Sequence, residues 1–108
     1  MISANYRLKK SAIDQVYKKG RAIRQRFLLV RILKNNQPFS RFAVVISKTI
    51  SPKATQRNRL KRKTFTIIEK LDLGHILREK SDIIISFKGT AEEAEIEPTL
   101  SKIFPALK

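Results

Sequence analysis

The sequence predicts a single α+β domain, a two-layer α/β sandwich with elements in the order α-β-β-β-α-β-α. Its 108 residues suffice for one modest hydrophobic core but not for two. Runs rich in β-branched and aromatic side chains, typical of strands, alternate with segments whose apolar residues recur every three to four positions, as on one face of a helix. No internal repeat or low-complexity linker divides the chain, so we treat 1–108 as one domain.

The first predicted element is a short helix over 11–19. Ser11 followed by Asp14 makes an acidic variant of the capping box, and Gly20 after two lysines is a typical C-terminal stop. The apolar side of this helix would consist of Ile13, Val16 and Tyr17.

Two strand-like runs follow, at 27–33 and 41–48. The segment 35–38 between them, Asn-Asn-Gln-Pro, has turn chemistry, so the two runs are predicted to pair as an antiparallel hairpin. Residues 22–24 would add a short strand before them.

The run 41–48 predicts a sheet with two unlike faces. Phe42, Val44 and Ile46 share one face, because side chains alternate along a strand. The opposite face is smaller and more polar, with Arg41, Ala43, Val45 and Ser47. An open face of this kind leaves a groove for a partner, although helices could equally cover both faces.

The segment 53–63 opens a second helix and carries six cations and no acid. Its apolar stripe consists of Leu60, Ile67, Ile68 and Leu71, with Thr64 between them. Asn58, Arg59 and Arg62 fall on the side away from the stripe, and Arg57 and Lys61 fall at its margins. Cations in a first turn oppose the helix dipole, so an anionic partner, with a nucleic-acid backbone as first candidate, best explains their placement.

The remaining elements are read from shorter signals. Residues 72–74 would end the second helix, and a helical turn is expected at 75–79. The unbroken apolar run 82–87 predicts a strand buried on both faces. The acidic patch 92–95 is expected to point away from nucleic acid, and Pro98 fits the first turn of a last helix. The apolar face of that helix would be Leu100, Ile103, Phe104 and Leu107.

Charge is distributed unevenly along the chain. The formal net charge is +15, and residues 1–68 hold eighteen Lys or Arg against a single acid, Asp14. Residues 69–108 hold six against eight acids. A generic soluble surface mixes signs, so this asymmetry indicates a polyanionic partner.

Several classes of protein are excluded or disfavoured. The chain has no cysteine, which removes disulfides, zinc fingers and thiol catalysis. His75, the only histidine, has no second ligand or acid at a useful spacing, so a surface or capping role is favoured. No apolar run is long enough to span a membrane and no secretion signal is legible, so we expect a cytoplasmic protein.

The segment 53–62, Lys-Ala-x-x-Arg-Asn-Arg-Leu-Lys-Arg, within this order of elements resembles the protein subunit of bacterial ribonuclease P. Residues 6–10, 16–20 and 82–85 also look like family positions, so the resemblance covers nearly the whole chain. It implies a mixed four-stranded sheet with a left-handed β-α-β crossover between 41–48 and 83–87, against a general rule that makes about 98% of such crossovers right-handed.

The resemblance also implies a function. In this family the RNA subunit performs the hydrolysis with Mg²⁺ and removes the 5′ leader of precursor tRNA, while the protein assists, with no catalytic residue or metal ligand expected in the protein. Contacts to the RNA subunit would be made by Lys48, Lys53, Arg57, Asn58, Arg59, Lys61 and Arg62. The leader groove maps to Ile13, Tyr17 and Val30, with Lys18, Arg24 and Arg31 as cations along its path.

Alternatives remain open from the residues alone. A ribosomal-type structural RNA-binding protein would share the charge and the fold class, and a DNA-binding module would need a base-reading helix. A protein-only nuclease lacks a carboxylate or histidine cluster in the basic half. Tyr17 is either a core aromatic with its hydroxyl in water or a ring on which a base stacks.

Overall fold

The computed structural model describes residues 7–71, 80–89 and 92–103, and its elements follow the predicted order. They are helix α1 (Lys10–Lys19), strands β1 (Arg21–Gln25), β2 (Leu28–Lys34) and β3 (Arg41–Ile46), helix α2 (Ala54–Lys70), strand β4 (Ser81–Phe87) and helix α3 (Glu93–Ile103). The α+β class and the mixed four-stranded sheet are confirmed. The predicted helix end at 72–74, the turn with His75, and Phe104 and Leu107 lie outside the described residues.

Strand β4 occupies the interior of the sheet, whose strand order is β1-β2-β4-β3. It pairs antiparallel with β2 and parallel with β3, so that Ile85 lies between Val30 and Val44. All seven of its residues are buried, as the unbroken apolar run predicted. The β3-α2-β4 unit therefore joins parallel neighbours, and the left-handed sense of its crossover stays a prediction.

The predicted hairpin between 27–33 and 41–48 is wrong, because β4 lies between these two strands. β2 forms its hairpin with β1 instead, and the short segment 22–24 proves to be part of β1. The tight turn between them places Arg26 at a φ of 53°, a left-handed conformation that only a few per cent of residues other than glycine adopt. Only an interior position lets a strand that is apolar on both faces escape water on both sides.

The two faces of the sheet are covered by different helices. Phe42, Val44 and Ile46 join the main core, which also contains Phe65 and Ile68 of α2 and Leu100 and Ile103 of α3. On the opposite face α1 contacts β2 and β4, and Val16 and Ile84 are fully buried there. The molecule thus has a partial third layer that a strict two-layer sandwich lacks. β3 shows the predicted asymmetry, since Val45 on the α1 face is exposed.

The ends of α1 are set by the backbone. The predicted capping box is wrong, because the helix begins at Lys10 and its N-cap, Lys9, makes no side-chain hydrogen bond. Gly20 does end the helix, and its N–H donates to the Val16 carbonyl over 2.8 Å. A Cβ atom at position 20 would lie 2.5 Å from that oxygen and 3.0 Å from the Ile32 carbonyl oxygen, so close approach requires the glycine.

Helix α2 begins where the sequence predicts and buries the predicted stripe, including Thr64, Ile67 and Ile68. Helix α3 begins at Glu93, so Pro98, which was predicted to lie in its first turn, lies farther inside the helix. The acidic residues of its first turn mark the beginning because they complement the positive end of the helix dipole.

Candidate nucleic-acid interface

The first candidate surface is the basic face of α2. Asn58, Arg59 and Arg62 are exposed, whereas Arg57 and Lys61 are half-buried, which confirms the predicted division between the outer face and its margins. No acidic residue stands in the first turn of the helix. Lys48 and Lys53, in the connection from β3 to α2, are exposed beside it.

Along this face runs a shallow groove of about 450 Å³, which we call the α2 groove. Its lining consists of Arg7, Thr55, Asn58, Lys61, Arg62 and Phe65. The α2 members stand three or four residues apart because successive turns place such positions on one side of a helix. The remaining member, Arg7, comes from the segment before α1, with its guanidinium carbon 4.9 Å from the centre of the Phe65 ring.

Arg57 points away from the α2 groove. Its Nη1 donates to the carbonyl oxygens of Ser51 and Pro52, each over 2.9 Å. These bonds hold the connection between β3 and α2 against the helix. Arg57 therefore supports the interface in addition to the RNA contact predicted for it.

Arg59 also has a protein partner. Its Nε donates to Glu93 Oε1 over 2.8 Å, and its Nη2 donates to Oε2 over 3.3 Å. Glu93 of the acidic patch 92–95 therefore lies against the basic helix, and the expectation that the patch points away from nucleic acid stays a prediction. Packing of α3 against α2 brings the two charges together, and no local pattern connects residues so far apart in sequence.

Two more ion pairs tie α3 to its neighbours, Arg26 with Glu95 at 2.9 Å and Lys70 with Glu97 at 3.0 Å. Each pair is exposed, so each contributes less than about 1 kcal/mol to stability. Their combined effect is to neutralise one edge of the basic surface, whereas the residues that the structure describes along the α2 groove include cations and no carboxylate.

The second candidate surface is the open part of the sheet beside α1, which we call the sheet cleft. Tyr17 is 46% exposed, and the Arg31 guanidinium carbon lies 5.3 Å from the centre of its ring. The exposure favours the stacking interpretation of Tyr17 over a core role. Lys18 and Arg24 are exposed and Ile13 is half-buried, so these predicted side chains reach the surface.

The prediction that Val30 lines the leader groove is wrong. Val30 is fully buried, and its side chain belongs to the core beneath α2 and α3. Because side chains alternate along β2, its neighbours Leu29 and Arg31 face α1 instead. Leu29 pairs with Ser86, which pairs with Val45, so these residues form one row across the sheet cleft.

A buried ion pair that the sequence did not predict joins the starts of β3 and β4. Arg41 donates to Asp82 through Nε at 2.9 Å and Nη2 at 2.8 Å, and Asn35 Nδ2 donates to the same carboxylate at 2.8 Å. The hydrogen bond to Asp82 raises the pKa of Arg41, so the guanidinium stays charged. This cluster joins the starts of β3 and β4 to the residue that follows β2, which is a structural role.

In residues 7–71, 80–89 and 92–103, no three His, Cys, Asp or Glu side chains lie together as metal ligands would. The helices of the same ranges include none that is long and apolar enough to cross a membrane.

Comparison with known proteins adds independent information. A family model described as Ribonuclease P matches residues 2–108. The ribonuclease P protein component of Bacillus pumilus is 34% identical over 95 residues, which cover 86% of this chain and 77% of the relative. That of Synechocystis is 44% identical over 54 residues, 49% of this chain and 44% of the relative.

Solved structures show the same fold. A Staphylococcus aureus RNase P protein, a mutant with defective mRNA degradation activity, matches with a TM-score of 0.80 and 26% identity, over 94% of this chain and 87% of that one. The RNase P protein of Thermotoga maritima, in complex with a thiourea compound, matches with a TM-score of 0.82 over 94% of this chain and 100% of that one. The second likeness, at 21% identity, speaks for the fold alone.

Proposed function

Because the chain belongs to the ribonuclease P protein family, the accessory subunits of a ribonucleoprotein endoribonuclease, we propose that its basic α2 face binds the catalytic RNA subunit and its sheet cleft holds the 5′ leader of precursor tRNA. In this role the protein assists removal of the leader, which gives the mature 5′ end of the tRNA. Precursor tRNA is made in the bacterial cytoplasm, and the proposal puts the protein there.

The observation that carries the proposal is the α2 face itself. Asn58 and Arg62 are exposed on one side of the helix, with Lys61 at the margin and no carboxylate among the described residues that line the α2 groove. Lys and Arg that neutralise phosphates release condensed counterions, which supplies much of the affinity of RNA-binding proteins at moderate salt. The cations at the start of α2 disfavour the helix by opposing its dipole, and bound phosphates would remove that penalty.

The sheet cleft supports the leader assignment by its chemistry. Single-stranded RNA is held by rings on which unpaired bases stack and by cations along its backbone. Tyr17 supplies an exposed ring, and Arg31 lies against it. Lys18 and Arg24 add exposed cations, and Leu29, with Val45, replaces Val30 as the apolar floor.

The chemistry of cleavage is assigned to the RNA subunit. The described residues contain no carboxylate cluster fit to hold Mg²⁺. In the proposal the RNA subunit binds the ion, which would activate water for attack on the phosphodiester. The residues of this chain bind and orient the two RNAs.

Reconstitution tests the proposal. Purified protein with precursor tRNA and Mg²⁺ should cleave nothing, and the RNA subunit should restore cleavage at the 5′ end. RNA that co-purifies with the protein from its own cells gives a second measurement. Ribosomal RNA in place of one noncoding RNA of several hundred nucleotides would indicate the ribosomal-type alternative, and cleavage by the protein alone would refute the assignment.

A further inference from the structure

In the α2 groove the guanidinium of Arg7 lies over the ring of Phe65, a contact that is not needed for a helix face to bind phosphates. We infer that Arg7, held over the Phe65 ring, forms with Asn58 and Arg62 a subsite for one unstacked nucleotide of the catalytic RNA subunit. The inference deepens the proposed function and rests on it, because it assumes that α2 faces that RNA.

The position of Arg7 is set by its main chain. Arg7 forms a parallel bridge with Phe42, and the N–H of Leu8 donates to the Phe42 carbonyl over 2.9 Å. The segment before α1 is thereby fastened along the outer edge of β3, and the Arg7 side chain reaches Phe65 in the second half of α2. The subsite is thus built from two segments that lie far apart in sequence, and its geometry depends on the folded protein.

The side chain of Arg7 is also placed. Its guanidinium lies 4.9 Å above the ring of Phe65, a residue that is itself buried. A guanidinium is planar and stacks on aromatic faces, and Arg7 is an exposed residue, so part of its side chain remains accessible to a ligand. Arginine planes of this kind are among the platforms on which unpaired RNA bases stack.

The other groove residues complete the chemistry of a nucleotide. Arg62 and Lys61 supply cations for the phosphate, and the Asn58 carboxamide offers both donors and an acceptor to a base edge. The volume of about 450 Å³ falls within the range of sites for small ligands, roughly 300–1,000 Å³. It suits a single nucleotide and is too small for a duplex.

Conservative substitution at Arg7 separates stacking from charge. Arg7→Lys keeps the cation but loses the planar platform, whereas Arg7→Ala loses both. Arg26→Lys, on the β1–β2 turn, is the matched control, because Arg26 is an exposed arginine with a protein partner and lies outside the α2 groove. Thermal unfolding of each variant shows whether the fold is retained.

The measurement is affinity for the isolated RNA subunit over a series of salt concentrations. We expect Arg7→Lys to weaken binding about tenfold with an unchanged log–log salt slope, since one base stack is lost and no charge. Arg7→Ala should weaken binding further and reduce the slope by roughly 0.7–0.9. Arg26→Lys should bind like the unchanged protein.

Chemical probing locates the nucleotide. Acylation of the 2′-hydroxyls of the RNA subunit should show a small group of nucleotides whose reactivity is altered by the unchanged protein and restored with Arg7→Lys.

Four results would overturn the inference or its premise. Equal affinity for Arg7→Lys and the unchanged protein would reduce Arg7 to a phosphate contact. Unchanged binding by Arg7→Ala would remove it from the interface altogether. If Arg7→Lys weakened only the binding of leader-bearing tRNA, Arg7 would contact the leader and not the RNA subunit. Failure of the unchanged protein to bind the RNA subunit would instead refute the proposed function, which is a separate outcome.

Discussion

Asp82→Asn tests whether the buried ion pair with Arg41 holds the two parallel strands together. The Asp82 side chain is 8% exposed and that of Arg41 is 22% exposed. The carboxylate accepts two hydrogen bonds from Arg41 and one from Asn35. Asparagine keeps the shape but removes the negative charge, and its amide nitrogen meets a donor where the carboxylate oxygen accepted one.

The expected loss follows from the burial of the pair. Breaking a buried ion pair by removing one partner costs about 3–5 kcal/mol, because the remaining charge stays buried without compensation. We expect the lower end, about 3 kcal/mol, because Arg41 reaches solvent and one amide oxygen can still accept a bond from it. At roughly 4 °C per kcal/mol for a domain of this size, the midpoint of thermal unfolding should fall by about 12 °C.

Glu97→Gln is the matched control, since it breaks the ion pair with Lys70. The Lys70 side chain is 66% exposed and that of Glu97 is 38% exposed. It should cost less than about 1 kcal/mol. Urea and thermal unfolding followed by circular dichroism at neutral pH measure both variants. Equal small losses for Asp82→Asn and Glu97→Gln would refute the energetic role of burial.

The pKa of Arg41 adds a prediction about pH. A folded-state pKa that is raised above its unfolded value contributes stability that is complete below the unfolded value and is lost only above the folded one. Since the pKa of Arg41 is raised from an already strongly basic value, its contribution should not change between about pH 7 and about pH 9. The difference in unfolding free energy between the unchanged protein and Asp82→Asn, measured at both pH values, should therefore stay constant.

Three further substitutions test the interface and the fold. Arg62→Ala should weaken binding to the RNA subunit and reduce the log–log salt slope by about 0.7–0.9. Lys102 is an exposed cation on α3, and Lys102→Ala should change neither quantity. Filter binding measures both variants. Tyr17→Ala should weaken binding of precursor tRNA by the holoenzyme by about one to two orders of magnitude and leave mature tRNA unaffected, so equal losses would assign Tyr17 to the fold. Gly20→Ala should destabilise the protein by roughly 1–3 kcal/mol, because its Cβ atom would meet the Val16 carbonyl at 2.5 Å. Gly89→Ala, whose nearest neighbour would be 3.6 Å away, should be nearly neutral in urea unfolding.

Local pattern was enough to predict the elements of this protein and the faces they bury. The apolar stripe of α2, the exposure of Asn58 and Arg62, the unlike faces of β3 and the full burial of β4 were all predicted from periodicity. Each of these features depends on residues within a few turns or alternations of one another, which is the range over which periodicity carries information.

The charge distribution and the sequence motif also predicted the class of binding partner. The basic first half predicted a polyanionic partner. The resemblance to the ribonuclease P protein subunit, strongest in the segment 53–62 and extending over nearly the whole chain, predicted the family, and the family match confirms it. Charge and motif are properties of the linear sequence, so no tertiary contact was needed to recognise them.

Tertiary structure decided the place of β2 in the strand order, and with it the side of the sheet on which Val30 lies. Strands 27–33 and 41–48 each have one strongly apolar face, and a turn stands between them, so local signals favoured a hairpin. The burial that β4 requires on both faces placed it between them, and the resulting register put Val30 in the main core.

The same is true of the contacts that shape the interface. Glu93 on Arg59, Arg7 on Phe65 and Asp82 on Arg41 join residues more than thirty positions apart. Helical and strand periodicity relate only near neighbours in sequence, whereas these pairs meet because helices and strands pack in three dimensions. The sequence by itself therefore determined that one face of α2 is basic, and packing decided which of its side chains have protein partners and which remain exposed.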